Sequence, residues 1–282
     1  MIRRLTLTRA LVYGVLLAFA IYYLFPLYLV FATSFKRFAD VSLSTMWDWP
    51  SPISLESFAQ AWNGRPEANI RGIGDGFLNS VRMVVPATVI SCILGSLNGY
   101  VLSKWRFRGS ETLFTLILFG MFIPYQSILI PLVRFLQSIQ LYATISGLVL
   151  VHVVYGIPIT TLIFRNYYAG VPNELVEAAR IDGANFFRIY RSVLLPLSIP
   201  GFVVVAIWQF TQIWNEYLFA VVISSTRAQP ATVALQNMGG GQFTEYNVQM
   251  AGALIVAAPT LLVYVLLGRY FLRGLLAGAM KG

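Results

Sequence analysis

The chain has 282 residues, of which 57% are hydrophobic and only 11% are charged. A soluble domain carries about 25% charged residues, and a mean hydropathy of +0.70 points away from a soluble domain as well. This composition excludes a disordered chain, a soluble globular enzyme and a disulfide-stapled secreted module, which leaves an integral membrane protein. The net charge of +9 is compatible with nucleic acid, with anionic lipid or with loop charges that orient membrane spans.

Six windows, each with more than 20 uncharged residues, are long enough to cross a membrane as helices. A helix that rises about 1.5 Å per residue needs roughly 20 apolar residues to cross a hydrocarbon core about 30 Å thick. We therefore predict an all-α membrane protein, a single transmembrane domain over residues 1–282. The predicted spans are residues 10–33, 79–103, 112–134, 144–165, 197–218 and 248–270.

The basic residues orient these spans. With the N-terminus in the cytoplasm, 13 of the 20 basic and 4 of the 11 acidic residues lie inside, and seven of each lie outside. Positive residues gather on the cytoplasmic side of membrane proteins, so both termini are predicted to be cytoplasmic and no nucleic acid is needed to explain the charge. The predicted connections are periplasmic loops at 34–78 and 219–247, a cytoplasmic loop at 166–196 and a cytoplasmic tail at 271–282.

The long cytoplasmic loop carries signals for two short helices. Pro172 suits a helix start, and Glu174 and Glu177 lie in the first turns, where the helix dipole favours negative charge. Gly183 is typical of a helix end, and Asn185 can cap a second helix. We predict a helix, a sharp turn and a second helix.

This loop also resembles a known family. Glu177-Ala178-Ala179, three residues, Gly183, nine residues, Val193, one residue and Leu195-Pro196 resemble the EAA loop of binding-protein-dependent ABC importer permeases. The family usually has Ile where this chain has Val193, a substitution that keeps the β-branched bulk. The extension Ile181-Asp182-Gly183-Ala184 is similar to the carbohydrate branch, and the resemblance covers the whole chain. It implies the type I ABC importer permease fold.

The resemblance implies a set of partners and a coupling role. The loop would insert into a cleft of a cytoplasmic ATPase subunit, with Glu177, Ala178, Ala179, Asp182 and Gly183 as the coupling residues. The glycine- and alanine-rich tail, with Lys281, would reach the interface of the ATPase dimer. The implied partners are a second homologous permease, two ATP-binding subunits that hold ATP and Mg²⁺, a periplasmic sugar-binding protein and the lipid bilayer of a bacterial inner membrane.

Polar residues in the fifth predicted span are candidates for a sugar pathway. Gln209, Gln212 and Glu216 recur at helical spacing, with Trp208 and Asn215 beside them, and carboxamides next to aromatic rings suit sugar hydroxyls and C–H faces. Hydrogen bonding between spans, or with a second permease, is the alternative. In maltose-type permeases the sugar contacts are concentrated on the other permease, so these residues would guide the solute without binding it.

The sequence contains a glycine triplet, a single histidine and a single cysteine whose roles can also be predicted. The triplet Gly239-Gly240-Gly241 is either a slack connector or a loop tip that touches a docked binding protein. For His152, in the fourth predicted span, a packed and hydrogen-bonded role is favoured over a substrate contact, and Cys92 is expected to be a small apolar filler. We predict no catalytic residue or metal site in this chain, because its single His and single Cys have no second metal-type ligand near them in sequence. We predict no cofactor either, since the chain lacks an ATP-binding phosphate loop ending in Gly-Lys-Ser/Thr.

The sequence therefore predicts a permease subunit of an ABC sugar importer and not an enzyme. Residues 124–131 and 155–162 look most like glucose/mannose-type permeases, which favours a monosaccharide such as glucose or mannose. The alternatives are import of an oligosaccharide, trehalose or glycerol-phosphate. A non-conducting membrane scaffold or sensor that recruits an ATPase is a second class of function.

Overall fold

The computed structural model describes residues 7–65, 70–105, 107–239 and 245–279. Regular structure in this part of the chain is helical, apart from two-residue strands β1 (Gly64–Arg65) and β2 (Ile70–Arg71), which pair antiparallel with Gly64 opposite Arg71. The predicted all-α membrane class is confirmed. The α-helices are α1 (Leu7–Ser34), α2 (Glu56–Asn63), α3 (Gly74–Lys104), α4 (Ser110–Phe119), α5 (Leu129–Ser138), α6 (Ile145–Ala169), α7 (Asn173–Ile181), α8 (Phe186–Ile189), α9 (Leu195–Leu197), α10 (Ile199–Trp214), α11 (Leu218–Ile223), α12 (Ala231–Met238) and α13 (Tyr246–Ala279).

Among the described residues, four helices are long and apolar enough to cross a membrane: α1, α3, α6 and α13. Two further pairs satisfy the same criteria together but bend sharply, by 89° between Ser110–Phe122 and Tyr125–Ser138 and by 77° between Phe186–Leu197 and Ile199–Trp214. The six predicted spans thus correspond to four long helices and two bent pairs.

The third predicted span, residues 112–134, is broken into two helical segments. Ile123 leaves the helical region with ψ at 116°, and Pro124 follows with ψ at 118°. Proline has no N–H to donate, and its ring disfavours the helical conformation of the preceding residue. The chain therefore ends one helical segment at Phe122 and starts another at Tyr125.

The fifth predicted span, residues 197–218, is shorter than expected. Ser198 separates α9 from α10, and Pro200 lies in the first turn of α10, where its missing N–H costs no hydrogen bond. At the other end α10 stops at Trp214, and the short helix α11 begins at Leu218.

The chain folds as two compact units. The larger unit, Asp75–Val233 with Ala258–Gly282, has two buried clusters, one around Trp214, Leu148 and Met83 and the other around Tyr100, Phe164 and Leu194. Inside this unit α3 packs against α6 through Gly95 and Gly99, and Asn98 donates to the Thr161 hydroxyl at 3.3 Å. The close packing that the Gly-x-x-x-Gly spacing predicts is confirmed.

The smaller unit comprises Met1–Gly74 and Ala234–Ala257. Its core is a small cluster around Ala61, Val248 and Ala251. The Asn247 amide donates to the Ser57 hydroxyl at 2.9 Å, and that hydroxyl in turn donates to the Lys36 carbonyl at 3.1 Å. These buried hydrogen bonds connect the segment after α1 to the start of α13.

Candidate functional site

The segment from Pro172 to Ile189, hereafter the α7–α8 segment, is the first candidate site. Pro172 precedes α7, and Glu174 lies in the first turn, as the sequence predicts. Val176 is buried and packs against α3, α6 and the residues that follow α8, so one face of α7 attaches to the bundle. The opposite face is exposed and is free to receive a partner.

A hydrogen-bonded turn at Gly183 fixes the angle between α7 and α8. The Gly183 N–H donates to the Arg180 carbonyl at 3.0 Å, and the Ala184 N–H donates to the Ala179 carbonyl at 2.9 Å. This is the Schellman arrangement, which places its glycine in the left-handed region, and Gly183 has φ of +76°. The predicted helix stop is confirmed.

The second helix is capped as predicted. The Asn185 side chain accepts a hydrogen bond from the Arg188 N–H at 2.9 Å, which satisfies a free donor at the start of α8. Phe186 stacks on Tyr100 of α3, with ring centroids 4.7 Å apart. On the other side of the segment, Lys104 donates to the Val171 carbonyl at 2.5 Å and to the Asn173 side-chain oxygen at 2.7 Å. The segment is therefore anchored to α3 at both ends.

Three large apolar side chains of the α7–α8 segment are exposed. Ile181 is 86% exposed and Phe187 is 70% exposed, and Leu175 is exposed as well. Solvent-exposed apolar side chains grouped in one short element are typical of a protein contact surface. The sequence signal was the length of the loop and its glycine, and it did not identify Ile181 or Phe187 as contacts.

The predicted coupling residues fall on two sides of α7. Ala178, Asp182 and Gly183 are exposed, Ala179 is half-buried, and the exposed Glu177 lies on the side that carries Val176. Lys281 lies outside the described residues. Four of the predicted coupling residues are therefore exposed and accessible to a partner: Glu177, Ala178, Asp182 and Gly183.

The predicted pathway residues of α10 do not share one environment. Gln209 is buried, and its amide donates to the Ser91 hydroxyl at 3.2 Å and to the His152 carbonyl at 3.3 Å. Trp208 is half-buried, whereas Gln212 and Asn215 are exposed. Gln209 therefore makes the interhelical hydrogen bonds that were the alternative to a pathway role.

Glu216 caps the start of α11. Its two carboxylate oxygens accept hydrogen bonds from the Phe219 N–H at 2.7 Å and from the Ala220 N–H at 3.2 Å. The Nε2 atom of the buried His152 lies 3.9 Å from one of these oxygens and has no hydrogen-bond partner among the described residues. The predicted packing of His152 in the bundle is confirmed, but its Nε2 atom lacks the predicted hydrogen bond among the described residues. The nearby Glu216 carboxylate was not predicted.

Gly239 lies in the smaller unit, beside the side chain of Gln249. Gly240 and Gly241 are outside the described residues. Within the part of the chain that the structure describes, no three His, Cys, Asp or Glu side chains come together as a metal site.

The structure contains a buried cluster of hydroxyl groups that the sequence analysis does not predict. The Ser96 hydroxyl lies 2.6 Å from that of Tyr168 and 2.9 Å from that of Tyr190, and Tyr168 donates to the Ser198 hydroxyl at 3.1 Å. The cluster joins α3 and α6 to the π-helical turn Tyr190–Leu194 that follows α8. These four residues are 30 to 94 positions apart along the bonded pairs, so local sequence patterns give no signal that they meet.

These features define a multi-pass α-helical membrane protein with exposed apolar side chains on a helix–turn–helix loop. The family model for the binding-protein-dependent transport system inner membrane component matches residues 87–276. The chain belongs to this family and is a permease component of an ABC importer, not its ATPase subunit. The predictions of the family and of a non-enzymatic transport subunit are confirmed.

Relatives and solved structures agree with this assignment. The Probable ABC transporter permease protein PH1216 of Pyrococcus horikoshii is 48% identical over 282 residues, 99% of this chain and 100% of that protein. The xylose/arabinose import permease protein XacI of Haloferax volcanii is 34% identical over 98% of this chain and 94% of its own length. A chain of a bacterial ABC transporter involved in the import of alginate superposes with a TM-score of 0.81 at 22% identity, covering 96% of this chain and 99% of that one, which shows a shared fold.

Proposed function

We propose that this chain forms half of the transmembrane pathway of an ABC sugar importer and couples closure of ATPase subunits to sugar movement. The observation that carries the proposal is the exposed apolar surface of the α7–α8 segment, on helices held at a fixed angle by the turn at Gly183. ATP and Mg²⁺ would be held by the ATPase partners and not by this chain.

The α7–α8 segment can transmit movement of a partner protein to the membrane helices. Ala178 has little bulk, so a partner surface can approach the backbone of α7, while Ile181 and Phe187 supply apolar contacts at the rim. On the inner side Val176 and Ile189 are buried in the bundle. A displacement of α7 would therefore move the ends of the membrane helices as a rigid body.

The proposed assembly contains a second homologous permease, two ATP-binding subunits and an external sugar-binding protein. Coupling contacts are proposed for Glu177, Ala178, Ala179, Asp182 and Gly183, with Lys281 of the tail at the ATPase interface. Gly239, Gly240 and Gly241 are proposed as a contact for the binding protein. Both termini would be cytoplasmic, in the inner membrane if the cell is bacterial.

Two exposed residues at the end of α10, Gln212 and Asn215, are better pathway candidates than the buried Gln209. Gln212 and Asn215 are exposed in this chain, so they can face a water-filled route between two permeases, with Trp208 and Glu216 at its edge. Gln209 is buried in hydrogen bonds to Ser91 and His152, and we assign it to packing. Polar groups that line such a route need no partner within the chain.

For the solute we propose a monosaccharide, such as glucose or mannose. The proposal is supported by the resemblance at residues 124–131 and 155–162, and by a relative whose name describes import of the monosaccharides xylose and arabinose. An oligosaccharide, trehalose and glycerol-phosphate are the competing solutes. Binding assays with the partner sugar-binding protein, using each of these compounds, would discriminate among them.

The coupling role is tested by Gly183→Val in reconstituted vesicles. A β-branched residue is strained at φ of +76°, so the turn should open and ATP-driven sugar uptake should be lost. Gly109→Val is the matched control, because Gly109 has φ of +92° and equally open surroundings but lies outside the α7–α8 segment. Equal uptake by the two variants would overturn the assigned role of the segment.

The same vesicles test the second class of function. A scaffold or sensor would support ATP hydrolysis by the recruited ATPase without admitting any of the sugars tried. Uptake that depends on both ATP and the sugar-binding protein would exclude it.

A further inference from the structure

A cavity of about 740 Å³ lies behind the α7–α8 segment, within the larger unit. Its walls are the last turn of α3, the residues that follow it, the last turns of α6 and the inner face of α7. We propose that this cavity binds the phosphate headgroup of an anionic phospholipid. The cavity lies on the inner side of α7, away from the exposed apolar surface and from the sugar route, and it shares Glu177 with the proposed coupling residues.

The lining carries an excess of positive charge. Lys104, Arg165 and Arg180 line the cavity, whereas Glu177 is the acid among the described lining residues. Neutral donors are present too, since the side chains of Asn166 and Ser103 belong to the wall. Guanidinium and ammonium groups beside amide and hydroxyl donors suit phosphate oxygens.

Two of the cations are held in place before any ligand arrives. The Arg165 guanidinium donates to a Glu111 carboxylate oxygen at 2.6 Å and lies 4.0 Å from the ring centroid of Phe114. The Arg180 guanidinium lies over the Trp105 ring at 4.3 Å. Ordered cations lose less conformational freedom when an anion binds, so the site is preorganised.

One donor in the wall lacks an acceptor. The Nε atom of Arg165 is buried and has no hydrogen-bond partner among the described residues. A buried polar group without a partner costs roughly 1–3 kcal/mol, more if it is charged. Because this Nε atom is closed to solvent, a phosphate oxygen in the cavity would accept from it only after the Arg165 side chain turns toward the cavity.

The position of the cavity favours a lipid as the source of that phosphate. α3 and α6 are both long enough to span the membrane, and the cavity lies where they end. Trp105 and the half-exposed Phe107 line it, and aromatic residues are enriched at the membrane–water interface. Basic pockets between membrane helices on the cytoplasmic side are places where anionic headgroups bind.

Occupancy would affect the coupling segment directly. Asn173, Glu177 and Arg180 project from α7 into the wall, so a bound headgroup would bridge α7 to the ends of α3 and α6. The lipid would stiffen the attachment of α7 to the bundle on the side opposite the exposed apolar surface.

The test counts bound lipids by native mass spectrometry on the full-length chain purified with its co-expressed partner subunits. Phosphatidylglycerol is the anionic probe and phosphatidylcholine the neutral one. We expect preferential retention of phosphatidylglycerol. Arg180→Gln should weaken it about fivefold, the effect of removing one basic residue near a charged lipid surface, and Arg180→Lys should restore most of the binding.

Two variants separate this result from a folding defect. Arg188→Gln removes the same charge from α8, outside the cavity lining, and should leave lipid retention unchanged. Glu177→Gln removes the lining acid and should strengthen retention of phosphatidylglycerol, an increase that a damaged fold would not produce. Lipid counts do not depend on uptake, so this result is independent of the sugar-import proposal.

Several outcomes would overturn the proposal. Equal retention of the two lipids would show that the cavity has no preference for an anionic headgroup or is filled by a partner protein. A loss in Arg188→Gln equal to that in Arg180→Gln would indicate a diffuse surface effect. Displacement of the lipid by excess inorganic phosphate would assign the site to a soluble phosphate compound.

Discussion

Gly99 of α3 lies so close to Phe164 of α6 that a Cβ on Gly99 would be 2.7 Å from the Phe164 Cβ and equally close to the Arg165 backbone nitrogen. Backbone atoms cannot swing aside as the end of a side chain can, so this contact fixes the separation of two membrane helices. Small residues at such crossings let helix backbones approach in the absence of a hydrophobic driving force.

Gly99→Ala should therefore destabilise the protein. Overpacking a close contact costs typically about 1–3 kcal/mol, and we expect a lower unfolding temperature in detergent. Gly14→Ala is the control, since Gly14 lies inside helix α1 and a Cβ there meets nothing within 4 Å. Its unfolding temperature should stay the same or rise, and equal losses in both variants would contradict the packing account.

The hydroxyl cluster predicts a measurable coupling between two side chains. Ser96→Ala and Tyr190→Phe each remove one hydroxyl from a pair 2.9 Å apart. A buried hydrogen bond contributes about 1 kcal/mol net, so each single change should destabilise and the double change should cost less than the sum. Chemical unfolding of all four proteins gives the cycle, with Tyr23→Phe, at a 70% exposed tyrosine, as the control.

Unfolding temperature and uptake kinetics should distinguish a packing role for Gln209 from a pathway role for Gln212. Gln209→Ala removes the donor for Ser91 and His152 in the buried part of the bundle, so it should lower the unfolding temperature. Gln212→Ala, at an exposed position, should leave that temperature unchanged and alter the KM or rate of sugar uptake. Unaltered uptake by a stable Gln212→Ala protein would remove Gln212 from the proposed pathway.

Local signals predicted the α7–α8 segment well. Gly183 ends α7 and Asn185 caps α8 as expected, because turn and cap chemistry depends on residues only a few positions apart. The same holds for the Gly95-x-x-x-Gly99 spacing, which packs against α6. Here the sequence itself contains the physical cause.

Features that depend on distant partners could not be predicted in this way. Helical spacing put Gln209 and Gln212 on neighbouring positions of one helix, but only the packing of Ser91 and Gly156 around Gln209 decides which is buried. Pro124 disfavours a continuous helix at that point of the third span, but this local effect does not set the 89° angle between the two halves. Long-range contacts, and not local propensity, set both outcomes.

Lys36, in the smaller unit, is a buried cation whose described hydrogen-bond acceptors are backbone carbonyls. It offers a further test. It is 3% exposed, and its ammonium group donates to the Thr45 carbonyl at 2.6 Å. Lys36→Met keeps the length of the side chain but removes this hydrogen bond, while the Thr45 carbonyl keeps the one that it accepts from the Asp48 N–H at 3.0 Å. A hydrogen bond to a charged group contributes about 1.5–3 kcal/mol. We expect the external segment around Thr45 to open more often and to be cleaved faster by added protease.

The neighbouring residue provides the control for this experiment. Arg37 forms a 3.3 Å ion pair with Asp40, and the side chains of both residues are exposed. Exposed pairs contribute about 0–1 kcal/mol, so Arg37→Met should leave the cleavage rate near that of the unchanged protein. Faster cleavage in both variants would mean that the loss of positive charge matters and not the hydrogen bond from Lys36 to the Thr45 carbonyl.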